Sequence, residues 1–216
     1  MIAVIDYGMG NLQSVAKALE FLGARVKLCS SPKDLENASK IVLPGVGAFG
    51  DAVRELKRRG LYTCLREKLE NEDIYFLGIC LGLQLLFERS EESKGVKGLG
   101  VFKGTCKIFP KRVKIPQIGW NSVKTMDEGP FDYAQGRRGT RDERCPLLKG
   151  IPSGSHFYFC HSYYVAPQDK NIIAATSNYG KDFTAVIQQG NIFGVQFHPE
   201  KSQALGLKVL TNFINI

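Results

Sequence analysis

The segment FLGICLGLQLLF, residues 76–87, changes its pattern at Cys80. The residues before Cys80 are apolar and strand-like, and those after it have apolar positions at helical spacing. Cys80 therefore lies where a strand gives way to a helix, between Gly78 and Gly82. A sharp strand-to-helix turn that presents a nucleophile needs small residues on both sides, because larger side chains would clash. We interpret Cys80 as a nucleophile rather than a buried structural thiol.

The same turn predicts the electrostatics around the sulfur. The following helix should aim its N-terminal amides and the positive end of its dipole at Cys80, which favours a thiolate. The N–H of Leu81 is then one expected donor to an oxyanion. The chain has no C-x-x-C pattern and no zinc-like grouping of cysteine with histidine, so we expect no metal. We expect small buried hydrophobic side chains at Cys29, Cys64, Cys106, Cys145 and Cys160.

A cysteine nucleophile needs a base and a group that orients the base. His198 follows the strand-like run IFGVQF, and Glu200 comes two residues later across a stiff proline. A carboxylate at that position can hold the imidazole tautomer and stabilise its protonated form. His156 is expected to be structural or exposed, and His161 to be a satisfied core or loop histidine. The predicted triad is Cys80, His198 and Glu200.

A glycine-rich stretch, LPGVGAFG at residues 43–50, follows another strand-like run. It contains the dinucleotide-binding spacing G-x-G-x-x-G, but we reject that function. The stretch follows a later strand than the first, and no acidic residue ends the next strand at the required distance. Such a loop can instead direct backbone N–H groups at a developing negative charge. We therefore expect Val46 and Gly47 to form an oxyanion hole with Leu81.

Strand and helix patterns alternate through the first half of the chain. Strand-like runs (IAVID, RVKL, KIVLPG, IYFLGI) are separated by helical stretches at residues 12–22, 51–59 and 61–70. The second half has short β-rich runs, a hairpin turn at 189–191 and a final helix over 204–214. The pattern predicts an α/β fold: a mostly parallel central sheet flanked by helices, with an antiparallel β portion in the second half.

The chain of 216 residues is long enough for one sizeable core, and we expect a single domain over 1–216. Residues 127–144 are polar, rich in glycine and arginine, and have neither a helical nor a strand period. This composition is typical of a loop, and loops of that length are uncommon inside compact domains. We expect an inserted, mobile surface loop there.

The composition is that of an ordinary globular protein, with 44% hydrophobic and 23% charged residues. The net charge is +8, but the basic residues are scattered, apart from 57–59 and the block at 137–144. This favours a solvated surface, or docking to an acidic protein, over nucleic-acid binding. The start of the chain does not resemble a signal peptide, and no apolar run approaches the ~18 residues of a membrane span. We expect a reduced, cytoplasmic protein that binds neither nucleic acid nor membrane.

The motifs GICLGLQ, LPGVG and the final HPE together resemble class I (triad-type) glutamine amidotransferases. Within that class, IDYGMGNLQSV, LPGVGAFGDAV, IGWN, FYFCHSYYV and GVQFHPEKS resemble the glutaminase subunits of imidazole glycerol phosphate synthase, over nearly the whole chain. The resemblance implies hydrolysis of L-glutamine to glutamate and ammonia without a cofactor. It also implies a heterodimer with a barrel-shaped cyclase, which receives the ammonia through a tunnel in histidine biosynthesis.

The resemblance implies further site residues. The residues that it implies for substrate binding are Gly45, Gln84, Ser162 and Tyr163. Those that it implies for the cyclase-facing surface are Asn11, Trp120, Lys201 and Ser202. On composition alone, a single tryptophan beside a turn is more often a core filler, and only the resemblance moves Trp120 to the surface. We expect low basal glutaminase activity that rises when a ligand-loaded cyclase docks.

Two other functions stay open. The chain could be a glutaminase that serves another acceptor, such as a sugar amidotransferase. It could also be a non-catalytic scaffold with a degenerate site, although the intact Cys80, His198 and Glu200 argue against this. Residues 127–144 depart from the family pattern but leave the catalytic motifs intact.

Overall fold

The four strands predicted in the first half are present. The structure is a computed structural model that describes residues 1–70, 73–126, 131–132, 137–138 and 145–216. The strands are β1 (Ile2–Ile5), β2 (Val26–Cys29), β3 (Lys40–Leu43) and β4 (Tyr75–Ile79). The helices between them are α1 (Leu12–Phe21), α2 (Phe49–Arg58) and α3 (Leu61–Leu69). The alternation of apolar runs with amphipathic stretches was therefore a correct guide to these elements.

Local chemistry accounts for the helix bounds. In α1 the buried residues Val15, Ala16 and Leu19 share one face, and the helix stops just before Gly23, whose φ of +84° is left-handed. In α2, Asp51 lies in the first turn and Lys57 with Arg58 in the last. These charges are placed to complement the helix dipole.

The helix after Cys80 is shorter than its apolar pattern indicated. It is α4 (Leu81–Leu85), and Phe87 already begins strand β5 (Phe87–Ser90). A five-residue helix has few aligned peptide dipoles. The dipole that this helix aims at Cys80 is correspondingly small.

The second half is β-rich, as predicted. Its strands are β6 (Phe102–Ile108), β7 (Gln117–Thr125), β8 (Phe131–Asp132), β9 (Arg137–Arg138), β10 (Ser155–His161), β11 (Tyr163–Pro167), β12 (Ile173–Asn178), β13 (Asp182–Gln189) and β14 (Ile192–Val195). The final helix is α5 (Gln203–Asn215). The predicted mobile loop over 127–144 lies outside the described residues, apart from the short antiparallel pair β8–β9.

Nine strands form one mixed sheet in the order β10-β7-β12-β13-β14-β4-β3-β1-β2. Strands β2, β1, β3, β4 and β14 pair in parallel, and the remaining pairings are antiparallel. The α/β prediction is confirmed, with the antiparallel portion continuous with the parallel one. The predicted hairpin is also present, since β13 and β14 are joined by a turn at Gly190, where φ is +54°.

One sequence run divides between two sheets. HFYFCHSYYV reads as a single β-rich run, but it breaks at Ser162. Strand β10 pairs with β7 in the large sheet, whereas β11 pairs with β6 in a separate three-stranded sheet of order β11-β6-β5. Strand propensity alone cannot locate such a break, because both pieces satisfy the same local preference.

The core lies on both faces of the large sheet. Val4, Val42 and Leu77 point to the face covered by α1 and α5, while Ile5 and Leu43 point to the face covered by α2 and α3. This alternation follows from the two-residue period of a strand. With both faces covered, the ends of the parallel strands are where a site can form.

Candidate active site

Cys80 occupies the sharp turn between β4 and α4. Its backbone has φ 53° and ψ −104°, an unusual conformation for a non-glycine residue. A Cβ on Gly82 would overlap the carbonyl oxygen of Leu43, and one on Gly78 would lie 2.7 Å from the carbonyl oxygen of Gly82. The two glycines are therefore required by close backbone approach, as the sequence predicted.

Strand pairing brings the base to the cysteine. β14 pairs in parallel with β4, with Val195 opposite Ile79, and the N–H of Cys80 donates to the carbonyl oxygen of Val195 at 2.8 Å. The strand ends at Val195, two residues earlier than the run IFGVQF indicated. His198 then lies three residues past the end of the strand, close enough to Cys80 for the two side chains to interact electrostatically.

The His198 ring is held by Glu200. Nδ1 of His198 lies 2.9 Å from Oε1 of Glu200, and the two side chains are 2% and 1% exposed. A short 3₁₀ turn, Pro199–Lys201, sets this geometry. A carboxylate accepts, so Nδ1 carries the proton. Nε2 is buried and has no hydrogen-bond partner among the described residues.

The charge state of His198 follows from its neighbours. Burial by itself lowers the pKa of the imidazole, but the attraction of Cys80 and the hydrogen bond and charge of Glu200 outweigh burial and raise the pKa well above its usual range. A raised pKa favours the imidazolium at neutral pH, and an imidazolium stabilises a neighbouring thiolate.

A cavity of about 250 Å³ opens at the sulfur. It is lined by Val46, Gly47, Cys80, Leu81, Gln84, Glu92, Pro116, Cys160, His161, Ser162 and Tyr163. The structure thus brings the predicted oxyanion residues and three of the four predicted substrate residues to one pocket. Gly45 adjoins it, because its carbonyl oxygen accepts the N–H of Leu81 at 3.4 Å.

Comparison with known proteins places this chain in a family. Residues 3–216 match the family model described as glutamine amidotransferase class-I. The chain belongs to that family. It is 47% identical over 212 residues to "Imidazole glycerol phosphate synthase subunit HisH" of Moorella thermoacetica, covering 98% of this chain and 93% of that protein. It is 43% identical to the HisH of Methanocaldococcus jannaschii, with full coverage of both.

Solved structures agree on the fold. A protein described as a glutamine amidotransferase has a TM-score of 0.73 at 16% identity, with complete coverage of both chains. PurLQS from Thermotoga maritima has a TM-score of 0.70 at 19% identity, covering 99% of this chain and 97% of that one. The family model and the HisH relatives, rather than these structures, show that the chain is an enzyme of this family. The recognition made from the sequence motifs is confirmed.

Three residues at this amidotransferase site carried no obvious sequence pattern. Glu92 lines the pocket and accepts the N–H of Phe49 at 2.7 Å, which ties the start of α2 to the loop after β5. Pro116, directly before β7, and Cys160, on β10, also line the pocket, and β7 and β10 pair with each other. No local spacing marks these positions.

His161 lies in the core, as predicted, but it also reaches the pocket. Its Nδ1 lies 2.8 Å from the carbonyl oxygen of Tyr163, and burial lowers the pKa of the ring to about 4. The carbonyl can only accept, so Nδ1 carries the proton and the ring is neutral. His156 is exposed, which agrees with the sequence interpretation.

The buried Gln196 was missed by the sequence analysis. It is 0% exposed, and its Nε2 donates to the sulfur of Cys80 at 3.6 Å. It belongs to the motif GVQFHPE, which we interpreted only for its histidine and glutamate. A glutamine inside an apolar strand run is a usable signal, because buried amides require partners.

The predicted partner-facing residues fall into different environments. Trp120 is 48% exposed and lies edge-on to Tyr158, over whose ring Nζ of Lys201 sits at 5.7 Å. Asn11 is partly buried before α1 and accepts from Oγ of Ser14 at 2.7 Å.

Ser202 was expected on the partner-facing surface, and its side chain lies buried within the chain. Ser202 is 1% exposed. Its Oγ donates to the carbonyl oxygen of His198 at 2.6 Å and accepts the N–H of Tyr158 at 3.0 Å. These two hydrogen bonds attach the segment that carries His198 to strand β10. The contacts of Ser202 are therefore within the chain.

The expectation for the other cysteines was only partly correct. Cys29, Cys106 and Cys145 are buried, but Cys64 is partly exposed and Cys160 is exposed. Cys160 is on the outward side of β10, alternating with the inward Phe159 and His161. Within the part of the chain that the structure describes, no group of three or more His, Cys, Asp or Glu side chains could hold a metal ion. None of the helices there combines the length and apolar character needed to span a bilayer.

Proposed function

We propose that the chain is the glutaminase subunit of an imidazole glycerol phosphate synthase. It hydrolyses L-glutamine to glutamate and ammonia, and the ammonia passes to a separate cyclase subunit in histidine biosynthesis. The observation that supports the chemistry is the buried His198–Glu200 pair beside the strained Cys80. Relatives 41–47% identical over essentially the whole chain, all named HisH, support the pathway.

In the first half-reaction, the Cys80 thiolate attacks the side-chain carbonyl carbon of glutamine. The electron pair of the C=O bond moves to oxygen and forms a tetrahedral oxyanion. Collapse of this intermediate breaks the C–N bond, and His198 gives its Nε2 proton to the leaving nitrogen. The products are ammonia and a thioester on Cys80.

In the second half-reaction, neutral His198 takes a proton from water as the water attacks the thioester. The second tetrahedral intermediate collapses and releases glutamate, and the sulfur leaves as a thiolate beside the protonated imidazole. Glu200 keeps the proton on Nδ1 throughout and stabilises the imidazolium. Neither half-reaction changes an oxidation state, so the reaction needs no oxidant or reductant.

The oxyanion requires N–H donors, which we assign to Leu81 and to the Val46–Gly47 segment. Gly47 has φ +103°, a conformation open to glycine, and Val46 is 40% exposed at the pocket rim. The carbonyl oxygen of Gly45 now accepts the Leu81 N–H. It must turn away before that N–H can meet a substrate oxygen, so we expect the isolated subunit to be slow.

Gln84, Ser162, Tyr163 and the adjoining Gly45 are proposed to hold the substrate. The Nε2 group of Gln84 already donates to the carbonyl oxygen of Tyr163 at 2.9 Å and to Oε1 of Gln196 at 3.4 Å. Its two hydrogens are thereby used. Oε1 of Gln84 is then the atom offered to a donor on glutamine, such as its α-ammonium group.

The cyclase is proposed to dock on a patch formed by Ile118, Trp120, Tyr158 and Lys201, which we call the docking patch. Ile118 is 61% exposed and Trp120 48%. Ile118 pairs across the strands with Cys160, which lines the pocket, so the docking patch continues to the active-site mouth. Exposed aromatic and apolar groups with a neighbouring cation are typical of interface anchors. Asn11, before α1, is a further proposed contact.

The test is to assay the purified chain with the cyclase of a histidine pathway. We expect glutamine-dependent formation of imidazole glycerol phosphate, coupled to glutamate release. A glutaminase for another acceptor would hydrolyse glutamine without response to this cyclase. A non-catalytic scaffold would release no glutamate under either condition, and either result would contradict the proposal.

A further inference from the structure

A chain of side-chain amides connects the substrate wall of the pocket to the nucleophile. It runs from the Tyr163 carbonyl through Gln84 and Gln196 to the sulfur of Cys80. Gln84 is 4% exposed and Gln196 is fully buried. Buried amides are held by their hydrogen bonds, so the direction of each donor can be deduced from its partners.

The first link has only one possible direction. The carbonyl oxygen of Tyr163 can accept but not donate, so the group of Gln84 that lies 2.9 Å away must be its NH₂. The same carbonyl also accepts from Nδ1 of His161 at 2.8 Å. Two donors converge on one backbone oxygen, and both lone pairs of that oxygen are used.

The second hydrogen bond, from Gln84 to Gln196, has its donor fixed by the first. Nε2 of Gln84 lies 3.4 Å from the side chain of Gln196, and a donor there requires an acceptor, which is Oε1. The other end of the same amide, Nε2, is then the group that faces Cys80 at 3.6 Å. A thiolate accepts an N–H more strongly than a thiol does, so this donor favours the charged sulfur, as does a protonated His198. The carbonyl oxygen of Cys160, 3.8 Å from the sulfur, acts in the opposite direction, because it can accept only from a thiol.

We infer that Gln196 is a positioning residue of the glutaminase site: its amide N–H, oriented through Gln84 by the Tyr163 carbonyl, holds the Cys80 sulfur as a thiolate aimed into the pocket. The inference rests on the proposed role of Cys80 as nucleophile. Gln196 does not line the pocket, and so it acts through the sulfur rather than on the substrate.

The backbone of Gln196 is fixed independently of this relay. Its N–H donates to the carbonyl oxygen of Ala185 at 2.8 Å, directly after β14. A substitution of the side chain therefore leaves the strand pairing in place. This permits a test in which the side-chain amide changes while the backbone pairing stays, and Gln84→Met reports separately on the bond between the two amides.

The experiment measures the alkylation rate of Cys80 by iodoacetamide across pH, in the full chain. Trypsin releases residues 69–89 as one peptide in which Cys80 is the only cysteine, so mass spectrometry reads this thiol separately from the other five. The variants are Gln196→Met, which keeps the length but removes the N–H, and Gln196→Asn, which keeps an amide but withdraws it from the sulfur. Asn212→Leu is the matched control, because Asn212 is a buried amide bonded to the carbonyls of Leu147 and Lys149.

We expect both Gln196 variants to be alkylated about tenfold more slowly at pH 7, with the midpoint of the profile displaced upward by about one pH unit. Gln84→Met should displace the midpoint in the same direction, because the Gln196 side-chain amide can then rotate and exchange its oxygen and its NH₂ group. The control should lose stability and keep the wild-type profile. For glutamine, kcat should fall in the Gln196 variants while KM changes little.

A folded Gln196→Met protein with the wild-type alkylation profile would overturn the inference. So would a displacement of equal size in Asn212→Leu, since that would mark a general loss of stability. A different result would contradict the proposed function, namely glutamine hydrolysis by the Cys80→Ala variant. The alkylation profile reports on the thiol whether or not glutamine turns over.

Discussion

The backbone N–H of Leu81 donates to the carbonyl oxygen of Gly45 at 3.4 Å, within the pocket that contains Cys80. The N–H that we propose as an oxyanion donor is thus already occupied. A tetrahedral oxyanion needs preorganised donors at the place where its charge develops. In this conformation the oxyanion hole that we propose therefore lacks one of its donors.

We predict that glutamine hydrolysis by the isolated chain is slow and rises on addition of a ligand-loaded cyclase. Loss of one oxyanion donor costs about 10²–10³ in turnover elsewhere, and this is the size of activation expected here. Glutamate release, measured with and without partner, checks it. Equal rates would show that the Leu81–Gly45 bond does not limit the reaction.

Cys80→Ala should abolish glutamine hydrolysis and leave the fold intact, because alanine is smaller than cysteine at the crowded turn. The cyclase reaction supplied with free ammonia should continue in the complex. Cys29→Ala, at a buried cysteine that does not line the pocket, is the control and should retain turnover. A glutamine-analogue electrophile should label residue 80 alone among the six cysteines, and labelling of another cysteine instead would count against this assignment.

Glu200→Gln should be less damaging than His198→Ala. The glutamine can still accept from Nδ1 of His198, but it lacks the charge that helps to raise the pKa of the ring. Damage to the orienting carboxylate of other triads costs ~10⁴ in turnover, and loss of the base costs more. Turnover of the two variants with bound cyclase is the measurement. Full activity of Glu200→Gln would remove Glu200 from the triad.

His161 should make the folded protein sensitive to acid. Its pKa is lowered by burial to about 4, whereas an unfolded histidine titrates near 6.5. Between these values the unfolded chain binds a proton that the folded chain does not, so stability falls as pH falls from about 6.5 to about 4. His198, with its raised pKa, acts in the opposite window: its contribution is full below about pH 6.5 and is lost as pH rises through its folded-state pKa.

His161→Phe tests this acid sensitivity. The ring would lie among Phe109, Phe159 and Phe183, whose centroids are 5.2–5.6 Å from that of His161. We expect the loss of unfolding free energy between pH 6.5 and 4.5 to shrink by about 2 kcal/mol. Urea unfolding at the two pH values measures it, with His156→Gln at an exposed site as control. The same pH slope in His161→Phe and wild type would refute the assignment.

Trp120→Ala should weaken cyclase binding by about tenfold or more, since an exposed aromatic of the docking patch is a typical interface anchor. Lys201→Ala should weaken binding less and mainly slow association, as expected of a rim charge. Phe21→Ala is a matched control, because Phe21 is 78% exposed at the end of α1. Isothermal titration with the cyclase reports the Kd values. If neither substitution in the docking patch changed the Kd, the interface would lie on another surface.

Much of the site follows from short-range sequence pattern. Gly78 and Gly82 predict a turn too tight for a side chain at either position. The two-residue spacing of His198 and Glu200 allows their hydrogen bond. The helices were predicted from apolar spacing, since that period is a property of the local backbone. The division of HFYFCHSYYV between two sheets was not predicted, because both of its parts favour strands equally.

The elbow, the predicted triad and the family could all be inferred from the printed residues. The tertiary structure was needed to bring Gln196 to the sulfur of a residue 116 positions away. It also decided that Cys160 and Glu92 line the pocket, that Ser202 is buried, and that the Leu81 N–H is occupied. The physical reason is that these contacts depend on which strands pair and in what register. Register is set by the packing of the whole sheet against its helices, and no local period encodes it.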